Sequence, residues 1–600
     1  MKIPPSTLCI RLLLSLLVFS SSPAAELPQG GEDLLKPALI KPYGAGAKFE
    51  IVPVTERSFK EAQRIQLDRA ADHPWDVGAQ SRLPRGLAKE DVGIVVFEAR
   101  AQPFPGESAE KAIAEGTIYL QDNTPPDYAK AATLPFRCTS AWQTFYLAFK
   151  LDRDLLAATA ALSVQLGAKR QILEMGPLNV IHYGKKVAMK DLPRTTVIYA
   201  GREANAPWRQ AAHARIEAFR MAPLSLRILD SQKRPAVGAK IGVRQLRNAF
   251  GFGSAVTAQW ITAKDADGDR YRKVVGECFS RFVFENDLKM EFWEQSLTNA
   301  PGSGWNWEQT QQAAAWLKHQ NIPMRGHYLS WAPWEPWSEK LRTTPDKIKE
   351  RILAHIPRIT AAVGDRVFEW DAINHLAGWD KNIDDAMGVK FYSEIMQAAR
   401  AATKQALWVN EDQVFRPGRQ QEDYYKRIKL LIADGYKPDG IGNQGHFDSS
   451  FLPTPMEMLD NSDRFASLVP ALQITEFDVE TGGDEELQAD YLRDCLLVCY
   501  SHPAYTGFLN WGFWEGAHWK PSTALWRKDW SEKPAAKLWR SLVNGTWATK
   551  ASGRTSDQGE YGVTAHLGLY EISVEFGGKT QIFLAPLTKS SVPFIFTLKP

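Results

Sequence analysis

Six hundred residues with 72 Lys and Arg against 69 Asp and Glu form a chain too long for one hydrophobic core, and too evenly charged for nucleic acid to be its main partner. The cysteines stand at no metal-ligand spacing, so neither a zinc site nor a disulfide framework is expected, and no metal or cofactor is implied. Past the N-terminus no segment approaches the ~18 uninterrupted apolar residues of a membrane span.

Residues 1–25 place Lys2 and Arg11 around the apolar run Leu12 to Phe19 and close on Ser22-Pro-Ala-Ala25. This is the order of a secretory signal cleaved near Ala24 or Ala25, and it predicts a secreted protein, extracellular or periplasmic; a retained amphipathic N-terminus is the other interpretation. Removing two basic residues and no acid lowers the formal charge from +3 to +1.

Residues 26–205 read as a β-sandwich. Short β-rich runs (Lys48 to Val54, Gly93 to Phe97, Gly116 to Leu120, Trp142 to Phe149, Leu162 to Leu166 and Gln171 to Met175) are separated by Gly, Pro and Asp clusters. The Trp142 strand and the closing Gln-Leu-Gly, Gln-Ile-Leu-Glu-Met-Gly and Tyr-Gly segments resemble jelly-roll carbohydrate-binding modules. A binding module and a purely structural appendage both fit that pattern.

Residues 206–249 are expected to connect, through a polar helix from Ala206 to Arg220 and strands at Leu224 to Leu229 and Ala239 to Gln245. Over residues 250–545 strands alternate with amphipathic helices, such as Gln309 to His319 and Asp346 to Ala362. That is the length and order of an eight-fold β/α barrel, and no Gly-rich nucleotide loop supports a doubly wound sheet instead. Residues 546–600 alternate again, at Tyr570 to Phe576 and Gln581 to Ala585, and predict a small β element. The fold class is therefore α/β, a (β/α)8 barrel preceded by a jelly-roll-like sandwich and followed by a β tail. Of 21 Trp, only Trp75 and Trp142 precede residue 208, so aromatic chemistry concentrates in the barrel, as core or as rings for stacking.

Functional groups of such a barrel gather at the C-terminal strand ends. In chain order those ends read Phe284-Glu-Asn-Asp-Leu-Lys289, Arg325-Gly-His327 with Trp331, Trp370-Asp-Ala-Ile-Asn-His-Leu376, Asn443-Gln-Gly-His446, Gln473-Ile-Thr-Glu-Phe-Asp478 and Trp511-Gly-Phe-Trp-Glu515. With Gly251-Phe-Gly-Ser254, these segments resemble glycoside hydrolase family 10, the xylanase-type barrels and particularly their plant branch.

The resemblance implies a secreted enzyme that cleaves β-1,4-linked plant polysaccharide such as xylan by a retaining mechanism, in which two carboxyl groups about 5 Å apart serve as nucleophile and acid/base. Glu476 matches the nucleophile, with His446 and Asp478 orienting it. Asn374 matches the residue that bonds the sugar 2-hydroxyl; Glu285, Asn286 and Lys289 match the grip on the non-reducing side; His327, Trp331, Gln444, Trp511 and Trp514 match other groups of the sugar pocket. The expected partner is a polysaccharide or oligosaccharide, with no nucleic acid and no membrane, and the protein is expected to be a monomer.

Two positions depart from the family pattern. Ala332 stands where His usually follows Trp, and His375 stands where the acid/base Glu belongs. An imidazole titrates near pH 6.5, and an ionised Glu476 a few ångströms away would favour its charged form, making His375 a competent acid. Equally, a His375–Glu476 ion pair would close the site and leave a barrel that binds glycans without cutting them. Asp380, Asp384, Asp385 and Glu411 are the other nearby carboxylates in sequence.

Overall fold

The computed structural model describes residues 26–36, 39–195, 199–300, 304–331, 344–377, 386–449 and 451–600. The signal-like segment 1–25, Ala332, Asp380, Asp384 and Asp385 lie outside the described residues.

The barrel is a closed ring of eight parallel strands: β1 Gly251–Val256, β2 Arg281–Phe284, β3 Met324–His327, β4 Val367–Asn374, β5 Ala406–Glu411, β6 Gly440–Asn443, β7 Leu472–Glu480 and β8 Tyr505–Asn510. Pairing runs in sequence order around the ring, and β1 closes on β8 with Gly251 opposite Gly507. β1, β3 and β6 are buried along their whole length, as expected for strands covered on both faces.

Helices such as Pro345–Val363 and Phe391–Ala402 supply one apolar face to cover them. Helix Pro345–Val363 opens on a proline, where no N–H is needed, and ends at Gly364 with φ 63°. Between those ends it buries Ile348, Ile352, Ile356, Ile359 and Val363, a helical stripe turned toward the sheet. Phe391–Ala402 does the same with Phe391, Ile395, Met396 and Ala399.

Before the barrel, a seven-stranded and a five-stranded antiparallel sheet enclose a shared apolar core that includes Ile65, Val95, Phe97, Ile118, Phe136 and Phe145. Each alternating run in the sequence lies on one of these strands to within a residue at its ends. The sandwich is fastened to the barrel at helix Pro455–Ala466. There Glu457, the third residue of a capping box with Thr454, pairs with Arg137 and accepts from Lys169 Nζ at 3.2 Å, while Lys111 Nζ meets Asp460 at 2.8 Å.

The expected connector and the expected tail are joined in space. Met221–Leu229 pairs with Glu560–His566 and Phe594–Thr597, and Lys240–Asn248 pairs with Lys550–Arg554 and Gly568–Phe576. Leu224, Leu226, Ile241, Val243, Ile572 and Val574 share one core. Residues 206–249 and 546–600 thus contribute to one β unit that brackets the barrel. Each half alternates apolar and polar residues, and its apolar face is buried only when the other half arrives.

Candidate active site

Glu476 lies at the middle of β7 with only 5% of its surface exposed. Its Oε1 accepts from Asn410 Nδ2 at 2.7 Å, and its Oε2 lies 3.3 Å from His446 Nε2. Asp478, two residues on and therefore on the same face of the strand, stands behind that imidazole, its Oδ1 3.1 Å from His446 Nδ1. Burial by itself would raise the Glu476 pKa, but the positive fields of His327, His446 and Lys289 outweigh it and bring the carboxyl down to about 2. By the same pairing, and against its own desolvation, His446 is raised to about 10 by Asp478 and Glu476. The result is a buried carboxylate whose charged form is favoured by its neighbours, a state suited to nucleophilic attack.

The other side of the site is arranged differently. After Asn374 the backbone turns at once, His375 taking φ 57° and donating its N–H to Asn410 O at 2.8 Å. The turn carries the imidazole to the end of β5, where Nδ1 lies 3.2 Å from Glu411 Oε1 and Nε2 lies 3.1 Å from the Gln444 side-chain amide. Among the described residues the carboxylate that His375 meets is Glu411, and Glu476, the other candidate for that pairing, places its oxygens on Asn410 and His446 instead. Burial drives the Glu411 pKa up, opposed by its hydrogen bonds and by His375. Trp331 packs on the other side of the ring, centroids 5.0 Å apart.

A row of amides joins the two sides. Asn374 Oδ1 accepts from Asn410 Nδ2 at 3.0 Å and from Gln444 Nε2 at 3.2 Å, which fixes the Asn374 amide with its oxygen on those two donors. The same Asn410 nitrogen serves Glu476, and Thr475 Oγ1 donates to Asn410 Oδ1 at 2.7 Å.

The groups expected to hold sugar converge around this row. Lys289 Nζ donates to Asn286 Oδ1 at 2.9 Å and lies 5.7 Å from the Trp511 ring centre. Burial lowers the Lys289 pKa and raises that of Glu285, whose rise Lys289 opposes. His327 Nδ1 is 2.9 Å from Asp371 Oδ2, and Asp371 is gripped in turn by Arg325 from the barrel interior. Trp511 faces His327 edge-on at 5.2 Å and His446 at 6.3 Å.

Trp514 is the exception among these positions. Its ring is stacked on Trp530 at 4.5 Å and edge-on to Trp260 at 4.8 Å, and its Nε1–H is donated to Lys528 O at 3.2 Å, so its contacts are those of a buttress behind the wall.

Sequence reading passed over two residues. Asn410 ends β5 beside Glu411, and Trp519 donates Nε1–H to Asp478 Oδ2 at 2.7 Å while its ring, 49% exposed, packs 5.1 Å from His446. The strand-end Asn410-Glu411 pair was a legible signal; nothing local marks Trp519 as the neighbour of a residue 41 positions away.

Residues 243–541 match the family model for glycosyl hydrolase family 10. The chain is 27% identical over 377 residues to the anti-sigma-I factor RsgI6 of Acetivibrio thermocellus, covering 62% of this chain and 47% of that protein. It is 25% identical over 349 residues to endo-1,4-beta-xylanase 1 of Arabidopsis thaliana, covering 56% of this chain and 34% of that one. The chain thus spans less than half the length of either relative. Among solved structures, xylanase 10B of Thermotoga petrophila in complex with xylobiose aligns with a TM-score of 0.43 and 21% identity over 50% of this chain and 95% of that one.

Proposed function

Because the chain belongs to glycoside hydrolase family 10 through residues 243–541, we propose that it is a secreted retaining glycosidase of β-1,4-linked plant polysaccharide such as xylan, with Glu476 as nucleophile and His375 in the acid/base position. One observation carries this: Glu476 is buried, with one carboxylate oxygen on Asn410 Nδ2 and the other 3.3 Å from His446 Nε2, and the same Asn410 nitrogen bonds Asn374 Oδ1. Such an arrangement costs desolvation of several charged groups, and it serves a carboxylate that attacks or stabilises a developing positive centre. The name of the Arabidopsis relative, an endo-1,4-beta-xylanase, supports the substrate class.

In the proposed cycle Glu476 attacks the anomeric carbon while His375 protonates the departing oxygen, and water then releases the sugar with the configuration retained. A 2-fluoro-substituted aryl xylobioside tests it. Mass spectrometry is expected to find one covalent sugar on the peptide containing Glu476, and NMR of the first product formed from a normal substrate is expected to show the β anomer. No label and no turnover would overturn the proposal.

A second reading has its own observation: both ring nitrogens of His375 are engaged, one by Glu411 and one by Gln444, as in a site that holds a glycan without cleaving it. Oligosaccharide binding that Trp511→Ala weakens, in a protein that turns over no glycoside, would decide for this second reading.

A further inference from the structure

Glu411 is wholly buried, and its carboxylate accepts from three groups that can only donate: Ala377 N–H, Asp412 N–H at 3.0 Å and Gln420 Nε2 at 3.1 Å. Its fourth contact, His375 Nδ1 at 3.2 Å, is the only one that could either give or take a proton. Protonating Glu411 would leave an O–H among three N–H donors. The hydrogen-bond inventory therefore favours an ionised Glu411 with the proton on His375 Nδ1.

His375 Nε2 is then the ring nitrogen left to exchange protons, and it faces the side-chain amide of Gln444. Around the ring stand Trp331 from the loop after β3, Asn374 from β4, Glu411 from β5 and Gln444 from the loop after β6. Arg427 Nη1, the cation behind this wall, is bound to Leu376 O and to Tyr392 Oη.

We infer that Glu411 is the positioning residue of an unusual acid/base pair: it fixes the tautomer of His375 so that Nε2 gives its proton to the departing sugar oxygen and later takes one from water. This rests on the glycosidase proposal for the same site. The carboxylate implied by the family pattern at position 375 is replaced by an imidazole, and the negative charge is moved one layer back to Glu411.

The proton count closes over the cycle. In the first step the imidazolium loses Nε2–H to the glycosidic oxygen as the C1–O bond breaks and the C1–Glu476 ester forms. In the second, water attacks C1, its proton goes to Nε2 and the Glu476 carboxylate is released. Glu411 keeps its charge throughout and stabilises the imidazolium at each end of the cycle, in the manner of the buried acid of a Ser-His-Asp triad. At rest Nε2 accepts from the Gln444 amide N–H, so a sugar has to displace Gln444 and Nε2 has to take up a proton from solvent before it serves as the acid.

The experiment uses the full chain and two aryl xylobiosides, one with a leaving group that needs no protonation and one that does. Glu411→Gln is expected to lower kcat/KM for the demanding substrate by about 100-fold and to leave kcat/KM for the easy one within about threefold, while the slowed water step lowers kcat and KM together for the easy one. Glu411→Asp is expected to recover part of the loss, and the pH profile on the demanding substrate is expected to shift in Glu411→Gln alone. In the 15N-histidine spectrum, with the His375 signals assigned by their absence in His375→Gln, the wild type is expected to show the proton on Nδ1 and Glu411→Gln a mixture of tautomers.

Turnover with an unchanged leaving-group dependence and an unchanged tautomer in Glu411→Gln would overturn the inference alone. An equal loss on both substrates that Glu411→Asp does not restore would mark a structural role and also overturn it. A wild type that turns over neither substrate would overturn the glycosidase proposal, and the inference with it.

Discussion

The two sides of the sugar site are built on different principles. Around Glu476 the charges are many and mutually satisfied: His446 lies between Glu476 and Asp478, Trp519 and Asn410 hold the outer oxygens, and Lys289 and His327 add positive field. Around His375, among the described residues, stand the carboxylate of Glu411, amides and an aromatic ring. The first side can hold its charge state over a wide pH range; the second must change its charge state to act. An exchange of Glu for His is therefore survivable on the acid/base side, where the requirement is a movable proton. It would be ruinous at Glu476, where the requirement is a fixed negative charge and an oxygen nucleophile.

Substitutions can separate the two sides. The largest effect is expected for Glu476→Gln, which removes the nucleophile and should cut turnover of every glycoside on the order of 10⁴-fold or more, with oligosaccharide binding by calorimetry largely kept.

His446→Asn comes next, with an expected loss of about 10²-fold, because it removes the hydrogen-bonded one of the three groups that favour an ionised Glu476. The acid limb of kcat/KM should then move to higher pH, as the Glu476 pKa rises from about 2. The same pair sets a stability window. Glu476 is depressed below its ordinary 4.5, so its contribution is present above about pH 4.5 and lost as pH falls through about 2. His446 is raised above its ordinary 6.5, so its contribution is complete below about pH 6.5 and lost as pH rises through about 10. Melting temperature against pH should show the wild type flat between those limits and His446→Asn losing the alkaline fall.

A smaller change, of opposite sign, is expected from His375→Glu. It places a carboxyl beside buried Glu411, where like charge and desolvation keep one of the pair protonated, and it should raise polymer hydrolysis about tenfold with an optimum at lower pH. Unchanged or lower polymer hydrolysis would mean that the acid/base side limits turnover by geometry and not by proton supply.

Trp514→Ala should affect turnover least. Because Trp514 packs against Trp530 and Trp260, its loss should appear as about 3–5 kcal/mol of destabilisation in denaturant unfolding, with KM near the wild-type value. A raised KM with unchanged stability would return Trp514 to the sugar wall.

Much of this was legible along the chain. Alternation of period 2 and period 3.6 marked the sandwich strands and the barrel helices, because one-sided burial imposes those periods on sequence. The strand-end order Glu285, His327, Asn374, Gln444, Glu476, Trp511 marked the site, since parallel strands with helical returns deliver their C-terminal ends to one face. What the chain could not carry was direction at the level of a single side chain. Whether His375 turned to Glu476 or to Glu411 depended on a left-handed backbone at residue 375 and a hydrogen bond to the neighbouring strand, both set by the closed sheet.

By itself, then, the sequence determined the elements, the barrel and the set of groups at its open end, because these follow from local periodicity and from side-chain chemistry. Tertiary structure alone decided three things: that Glu411 is the partner of His375, that Trp514 is a buttress while Trp519 touches Asp478, and that strands on either side of the barrel form one β unit. Each is a contact between segments far apart in the chain, fixed by burial of surfaces that neither segment covers alone.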